Sequence, residues 1–227
     1  KGLLFDMDFR SATSTRFAIK VLNDGTYDID KGGDGVVEDK GDWGFTATEW
    51  NTFRFTKSGA DVNVYINEAT TPVFTLSAVG DADGSGYWRF GDGWSSENVD
   101  TQYDWVTWDY TGAYSPEDQS LPSELVESEG NWTTYQADVD PTAFDPAFSE
   151  SNGAGTFAYT TLSDPDDAGN NLLSIKTDAS AEKDNIQLRQ YTNEDAVTVV
   201  LKARTVDSDN KGLLFDMDFR SATSTRF

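Results

Sequence analysis

Short runs in which apolar and polar residues alternate follow one another along the chain, and Gly, Asn and Asp residues separate them. Alternation with a period of two predicts β-strands that bury one face, and the turn residues between the runs favour antiparallel neighbours. The predicted strands span residues 2–10, 16–22, 27–30, 51–57, 61–67, 73–77, 87–90, 104–109, 156–161, 171–177, 185–191 and 196–203. This pattern predicts an all-β fold, a two-sheet antiparallel sandwich. Asn23-Asp24-Gly25 predicts a tight hairpin, because Gly supplies the positive φ of such turns.

The chain contains one long duplication, because residues 1–17, KGLLFDMDFRSATSTRF, return unchanged as residues 211–227. Lys1 returns as Lys211, so the period is 210 residues. Solenoid repeats are only about 20–50 residues long, so each period is expected to be a whole domain with its own core. Three origins stay open: a polyprotein of near-identical domains, an engineered permutant with an overlap, and a repeat array written from an arbitrary starting point.

Residues 115–130, SPEDQSLPSELVESEG, lack apolar alternation and carry two prolines with several acids. This composition predicts a linker between domains. Residues 1–114 are then the C-terminal half of one domain, and residues 131–227 are the N-terminal half of the next. On this interpretation the chain is cut out of register with the domain, and the duplicated segment is the same strand in two consecutive domains.

The charge balance is strongly acidic, with 40 Asp and Glu against 17 Lys and Arg and a net charge of −23. Such a surface repels nucleic acid and favours divalent cations, and no stretch is apolar and long enough to insert into a membrane. The chain contains neither Cys nor His. Disulfides are therefore excluded, and the most common acid-base group at neutral pH is missing.

Four segments carry a resemblance to a known family: W-N-T-F-R-F-T (50–56), V-N-V-Y-I-N-E (62–68), Y-W-R-F-G-D-G (87–93) and Y-D-W-V-T-W-D-Y-T-G-A-Y-S-P (103–116). Together they resemble the laminin G-like, concanavalin A-like jelly-roll superfamily. The resemblance implies a jelly-roll sandwich and says little about the ligand. One departure is Asn67-Glu68, where the family usually has Asn-Gly, so the turn is expected to be built differently.

Jelly rolls include glycan hydrolases and lyases, and retaining hydrolysis needs two carboxylates on one face. The resemblance implies a Glu-x-Asp-x-x-Glu or Glu-x-Asp-x-Glu strand for this chemistry, and the chain has no such run. The nearest segment, residues 5–9, has the alternation of a half-buried strand, with Asp6 and Asp8 on one face. The opposite face holds Leu3, Phe5, Met7 and Phe9, and in the second copy Leu213, Phe215, Met217 and Phe219. We therefore predict no catalytic residues and no enzyme, and we interpret this strand as an assembly strand.

The segment Asp81-Ala82-Asp83-Gly84-Ser85-Gly86 places two carboxylates two residues apart in a glycine-rich loop. Hard oxygen ligands in this arrangement favour calcium, with Asp81, Asp83 and Ser85 as ligands. The family resemblance also implies calcium at a rim loop. Less specific acidic loops are the alternatives: Asp28, Asp30 and Asp34; Asp138, Asp140 and Asp145; and Asp164, Asp166 and Asp167.

Aromatic residues are abundant and favour a second kind of site, because sugar rings stack on exposed Trp and Tyr. The predicted ligand-facing cluster is Tyr87, Arg89, Trp94 and Tyr103. Alternation places Trp105 and Trp108 on opposite faces of one strand, so one of the two is expected in the core.

Two functions follow from these features. The first is a structural repeat unit of an extracellular filament or giant surface adhesin, in which neighbouring copies are the partners and strand addition joins them. The alternative is a carbohydrate-binding, lectin-like module of a secreted protein, with glycans as partners. Both place the chain outside the cell or on its surface.

Overall fold

The computed structural model describes residues 18–22, 24–30, 39–59, 61–76, 85–91, 98–122, 128–152, 159–176, 186–192, 194, 196–206 and 212–222. These residues form strands and the loops that connect them, with a single short 3₁₀ helix at Pro141–Ala143 and no α-helix among them. The strands are β1 Ala18–Leu22, β2 Thr26–Asp30, β3 Asp39–Asp42, β4 Asn51–Ser58, β5 Asp61–Ile66, β6 Phe74–Leu76, β7 Ser85–Gly91, β8 Asn98–Asp109, β9 Ser128–Glu129, β10 Trp132–Tyr135, β11 Ser149–Asn152, β12 Tyr159–Ser163, β13 Asn171–Lys176, β14 Ile186–Tyr191, β15 Ala196–Thr205 and β16 Gly212–Ala222. The all-β prediction is confirmed.

Sheet A has the strand order β11-β14-β7-β16-β1-β2-β3, and all of its neighbours are antiparallel. The predicted hairpin joins β1 to β2 at Gly25, which has a φ of 87° and donates its N–H to Leu22 O at 3.0 Å. A Cβ at this position would lie 2.5 Å from Phe45 O, so both the backbone angle and the space require glycine.

Sheet B has the order β6-β5-β4-β15-β8, and two hairpin-like pairs share the far edge of β8. β13, with β12 beyond it, pairs with residues 100–103 of β8, and β10, with β9 beyond it, pairs with residues 106–108. The first two residues of β8 pair in parallel with β16 of sheet A. β8 thus begins against one sheet and continues in the other.

The two sheets share one hydrophobic core, which makes the fold a β-sandwich. Sheet A contributes Ile19, Val21, Trp88, Phe90 and Leu188, and sheet B contributes Phe53, Phe55, Val106, Trp108 and Val199, among others. Phe148 closes the core, with its ring 5.5 Å from Trp108 and 5.4 Å from Tyr135 between ring centroids. Edge-to-face contacts of this kind add to the free energy of apolar burial.

A β-bulge in the middle of β8 reverses the alternation of its side chains. Lys202 of β15 pairs with Trp105, but the next residue, Ala203, pairs with Tyr103, so Asp104 is an extra residue. Tyr103 and Trp108 therefore both lie in the core between the sheets, whereas Trp105 lies on the outer face of sheet B. The prediction that one of the two Trp residues belongs to the core is confirmed.

The outer face of sheet B is also covered, and Arg54 of β4 is the charged residue at its centre. Arg54 is fully buried, forms a two-pronged ion pair with Glu68, and donates from Nη1 to Tyr114 O at 3.1 Å. Its guanidinium also lies 5.7 Å from the ring centroid of Trp132. Leu121 packs against the cluster of Trp105, Trp132 and Val200 on the same face. Part of the predicted linker, residues 115–122, thus packs on sheet B, and its role between domains stays a prediction.

The turn at Asn67-Glu68 combines a left-handed backbone with a buried ion pair. Both residues have positive φ, 53° and 55°, which are the values that an Asn-Gly hairpin turn requires. The expectation of a differently built turn is therefore wrong for the backbone. What differs is the side chain, because Glu68 neutralises the buried Arg54, and this ion pair offsets the strain of a left-handed glutamate.

Eleven of the predicted strands fall on strands of the structure, with ends shifted by up to six residues at 104–109, which extends back to Asn98 in β8. The predicted strand 2–10 lies outside the described residues. Four strands have no predicted counterpart: β3, β9, β10 and β11. The remaining strand, β16, is the second copy of the predicted strand 2–10. In both sheets, strands that precede residues 115–130 in the chain pair with strands that follow them. Examples are the pairs of β8 with β15 and of β7 with β14.

We expect Arg54→Ala to lower the free energy of unfolding by about 3 kcal/mol, because Glu68 and the Tyr114 carbonyl lose their buried partner. The matched control is Lys40→Ala on the exposed strand β3, which should cost less than about 0.5 kcal/mol. Urea unfolding followed by Trp fluorescence measures both. Equal stabilities of the two variants would contradict the structural role of Arg54.

Burial of Tyr110 makes the free energy of unfolding depend on pH in the alkaline range. Burial raises the pKa of its phenol well above the ordinary value, although the hydrogen bond from Trp88 Nε1 at 3.0 Å acts in the opposite direction. The folded state therefore holds this proton more tightly than the unfolded state, so stability is complete below about pH 10 and falls as the pH rises above it.

Tyr110→Phe should flatten this alkaline limb of the stability curve, although it also costs stability at neutral pH because Trp88 loses its acceptor. Tyr191→Phe, at a residue whose exposed fraction is 55%, is the control and should leave the limb as it is. Urea midpoints measured from pH 7 to pH 11 test the difference. An unchanged limb in Tyr110→Phe would show that Tyr110 is not its source.

Candidate functional site: a polar groove on sheet B

The groove lies where the edge of β8 is interrupted. β13 ends its pairing at Tyr103 and β10 begins its pairing at Val106, so residues 104 and 105 have no neighbouring strand on that edge within the described chain. An open groove of about 390 Å³ occupies this gap. Its lining residues are Asp104, Trp105, Gln136, Asp167, Gly169 and Asn170.

The loop between β12 and β13 forms one wall of the groove, and its own side chains hold its shape. Asp164 Oδ1 accepts the N–H of Asp166 at 2.9 Å, and Asp167 Oδ1 accepts the N–H of Gly169 at 3.1 Å. Backbone bonds from Asp164 N to Asn170 O and from Asn170 N to Asp167 O, both 3.0 Å, close the loop. Asx turns of this kind restrain the backbone of this wall.

Asn170 joins this wall to the strand that forms the floor. Its Nδ2 donates to Asp104 Oδ1 at 2.7 Å and to Asp164 Oδ2 at 3.3 Å. Lys202 of β15 donates to the other oxygen of Asp104 at 2.6 Å. Asp104, the extra residue of the bulge, is therefore held by partners on both sides, and its side chain is only 12% exposed.

A cation-aromatic stack extends the polar network from the groove across sheet B. The Arg204 guanidinium lies 4.4 Å and the Lys202 ammonium 5.4 Å from the ring centroid of Trp50. Arg204 also donates from Nε to Gln102 Oε1 at 3.0 Å and forms a longer ion pair with Asp166 at 3.5 Å. These contacts fix both cations on one side of the groove.

A second hollow, of about 220 Å³, adjoins the groove through Gln136, which lines both. Its other lining residues are Thr134, Asp138, Val139, Ala143, Phe144 and Asp145. Asp140 shapes this hollow, because its Oδ1 caps the 3₁₀ helix by accepting the Thr142 N–H at 2.8 Å. The groove and the hollow are therefore neighbouring cavities with Gln136 at their boundary.

The groove lining is suited to hydrogen bonding with a neutral polar ligand. Asp104 and the three Asp residues of 164–170 outnumber the two cations, Lys202 and Arg204, so an anionic ligand is disfavoured. Carboxylates accept hydrogen bonds, and the amides of Gln136 and Asn170 both donate and accept. Among the described residues no group of three or more Asp or Glu side chains is placed to hold a metal ion.

Only the last two residues of the predicted calcium loop, Ser85 and Gly86, belong to the described part of the chain. Asp81 and Asp83 lie outside the described residues, and Ser85 is the first residue of β7, paired through its backbone with Ala222. Calcium at this loop stays a prediction. The alternative loop of Asp164, Asp166 and Asp167 is the one that lines the groove, where its carboxylates bind their own backbone.

Of the predicted ligand-facing cluster, the structure describes the side chains of Arg89 and Tyr103, and both are buried. Tyr103 is 1% exposed and packs edge-to-face on Phe90, with ring centroids 5.0 Å apart, so its assignment to a ligand site is corrected: the bulge at Asp104 places it in the core. Arg89 is buried in β7, between the core residues Trp88 and Phe90 along the strand. Tyr87 lies in β7 opposite Tyr191, and Trp94 lies outside the described residues.

The second copy of the duplicated strand is β16, an internal strand of sheet A. Its register places Met217 opposite both Phe90 and Ile19, Phe219 opposite Trp88, and Phe215 opposite Val21. Leu213 pairs with Leu22 and with Val99. The first copy, with Leu3, Phe5, Met7 and Phe9, lies outside the described residues.

Sequence reasoning missed the groove residues Asp104, Gln136 and Asn170, and the stack of Trp50 with Lys202 and Arg204. The one available signal was the loop of three Asp residues at 164–167, which was interpreted only as an alternative cation site. No local pattern pairs Asn170 with Asp104, because 66 positions separate them along the chain.

No protein-family model matches this chain, and the search of curated proteins found no match either. Within the described residues, no helix has the length and apolar character needed to cross a bilayer.

Proposed function

We propose that this chain is the structural repeat unit of an extracellular filament or large surface adhesin, and that neighbouring copies of it are its main partners. The observation that carries the proposal is the position of the duplicated segment. Its second copy supplies β16, which pairs with β7 on one edge and with β1 on the other. A strand in the middle of a sheet is indispensable to it, so an unchanged duplicate of that strand is best explained by a repeating sandwich.

We infer further that the sandwich is of the concanavalin A-like jelly-roll type. Two antiparallel sheets with a shared core support this, and so does the place of the family-like segments, which fall on the strands β4, β5, β7 and β8. The acidic composition without cysteine fits an extracellular array that is kept soluble by charge. In this proposal the chain has no catalytic role, and calcium bound by residues 81–86 is a stabilising ligand.

The filament proposal predicts concentration-dependent assembly of the full chain into unbranched fibres one sandwich wide. Copies with a net charge of −23 repel one another, so assembly should increase as added salt screens this repulsion. Sedimentation velocity and negative-stain electron microscopy, from micromolar to millimolar protein and at low and high salt, measure it. A single monodisperse species under every condition would contradict the proposal.

Carbohydrate binding is a second candidate function, and the groove on sheet B favours it. Sugar hydroxyls both donate and accept, which matches a lining of two carboxylates and two amides, Asp104, Asp167, Gln136 and Asn170. The volume of about 390 Å³ lies in the usual range for small-ligand sites. Gly169 adds no side chain to the rim, so a ring can approach the backbone there.

For this function we expect Asp167→Asn to weaken glycan binding about tenfold, because the variant keeps the Asx turn but loses the charge-assisted bond. Asp61→Asn, at an exposed position of β5 outside the groove, is the matched control and should bind like the parent. A glycan array identifies the ligand, and titration calorimetry then compares the variants. The absence of any glycan bound at millimolar concentration, or equal affinities of the two variants, would rule out the groove as a lectin site.

A further inference from the structure

The pairing of β1 with β16 relates β1 to the second copy of the duplicated segment. Three pairs, Ile19 with Met217, Lys20 with Asp216, and Val21 with Phe215, run antiparallel without interruption, and a bulge then brings Leu22 opposite Leu213. The partners of β1 thus come from the second copy of the duplicated segment, 198 positions away for Ile19 and Met217 (217 minus 19).

The same register describes a local hairpin once each residue of β16 is replaced by its identical counterpart in the first copy. With the period of 210 residues, Met217 corresponds to Met7, Asp216 to Asp6 and Phe215 to Phe5. The resulting pairs, 7 with 19, 6 with 20 and 5 with 21, are all symmetric about residue 13. The end of β16 agrees, because Ala222 corresponds to Ala12, immediately before that centre.

Sheet A therefore has one strand position between β7 and β1, and each chain carries two identical sequences that fit it. We call this position the exchange slot. Since the two copies are identical, their pairing with β7 and β1 is equally favourable, and only the connection along the chain decides which copy enters. The slot is occupied by a strand that is not the one adjacent to β1 in sequence, so direct connection is not required.

We propose that the exchange slot receives the strand 212–222 of a second copy of this chain, so that copies join head to tail by strand exchange. This inference rests on the proposed filament function and gives its linkage. An incoming strand gains backbone hydrogen bonds on both edges, to β7 and to β1, which makes the contact tight. Each chain donates one strand and receives another, and because donor and acceptor surfaces differ, the contact propagates into an open assembly.

Cysteine cross-linking of the full chain tests the exchange, because the protein has no cysteine of its own. One variant carries Lys20→Cys and a second carries Asp216→Cys, at positions directly opposite in the register. Directly opposite residues of antiparallel strands have Cα atoms about 4.5–5.5 Å apart, within the range of disulfides. The two variants are unfolded together in urea, refolded together and oxidised.

We expect a disulfide-linked dimer of the two variants, in several times the yield given by Lys20→Cys mixed with Asp61→Cys. This second mixture measures random collision, because Asp61 lies on an exposed position of sheet B. A yield no higher than that of the control overturns the proposal. Two double variants then identify the occupant by whether the disulfide lies within a monomer or links two chains. A disulfide within a monomer of Lys20→Cys with Asp216→Cys shows the chain's own second copy in the slot, and one within a monomer of Lys20→Cys with Asp6→Cys shows its first copy. Either result overturns the proposal, whereas a 20–216 disulfide that links two chains supports it.

Failure of this inference is distinguishable from failure of the proposed function. If fibres form but no disulfide joins positions 20 and 216 of different chains, the filament function stands and strand exchange is excluded as its basis. If disulfide-linked dimers form but no fibres are seen, strand exchange stands and the filament function is excluded.

Discussion

The pairing of β8 with β15 is the interaction on which the rest of this sandwich depends. It joins two segments about 100 positions apart along eight residues of β15, and it places β8 where β13 and β10 find their partner. The bulge at Asp104 within this pair determines which side chains of β8 face the core and which lie on the outer face of sheet B. It directs Tyr103 and Trp108 to the core and leaves Asp104 and Trp105 at the interrupted edge, where the groove lies.

The outer face of sheet B combines packing and charge in an unusual way for an exposed sheet. Arg54 is buried there, and Glu68 adopts a left-handed backbone to meet it. Close by, Asp109 is fully buried and accepts bonds from Thr111 and Gln119. Buried charges are tolerated only where partners replace water, so these contacts hold residues 109–121 on the sheet. Residues 109–121 therefore cover one part of the outer face, and the polar groove occupies another part.

The two candidate functions use different parts of the sandwich and are compatible. The proposed self-assembly would use sheet A, where the duplicated strand lies between β7 and β1, and the proposed ligand binding would use the outer face of sheet B. A filament of such units would present the same groove at every repeat. Weak binding at each groove would then add up along the array, as multivalent attachment requires.

The amino-acid sequence by itself determined the all-β class, most strand positions, the hairpin at Gly25 and the 210-residue period, because alternation, turn residues and repetition are local properties. It did not reveal β3, β9 or β11, whose sequences DKGD, SE and SESN have no apolar alternation and form strands only by pairing with neighbours. The bulge at Asp104, the meeting of Asn170 with Asp104 and the burial of Arg54 were decided by the tertiary structure alone. Each depends on contacts between distant segments, and such contacts leave no period in the sequence.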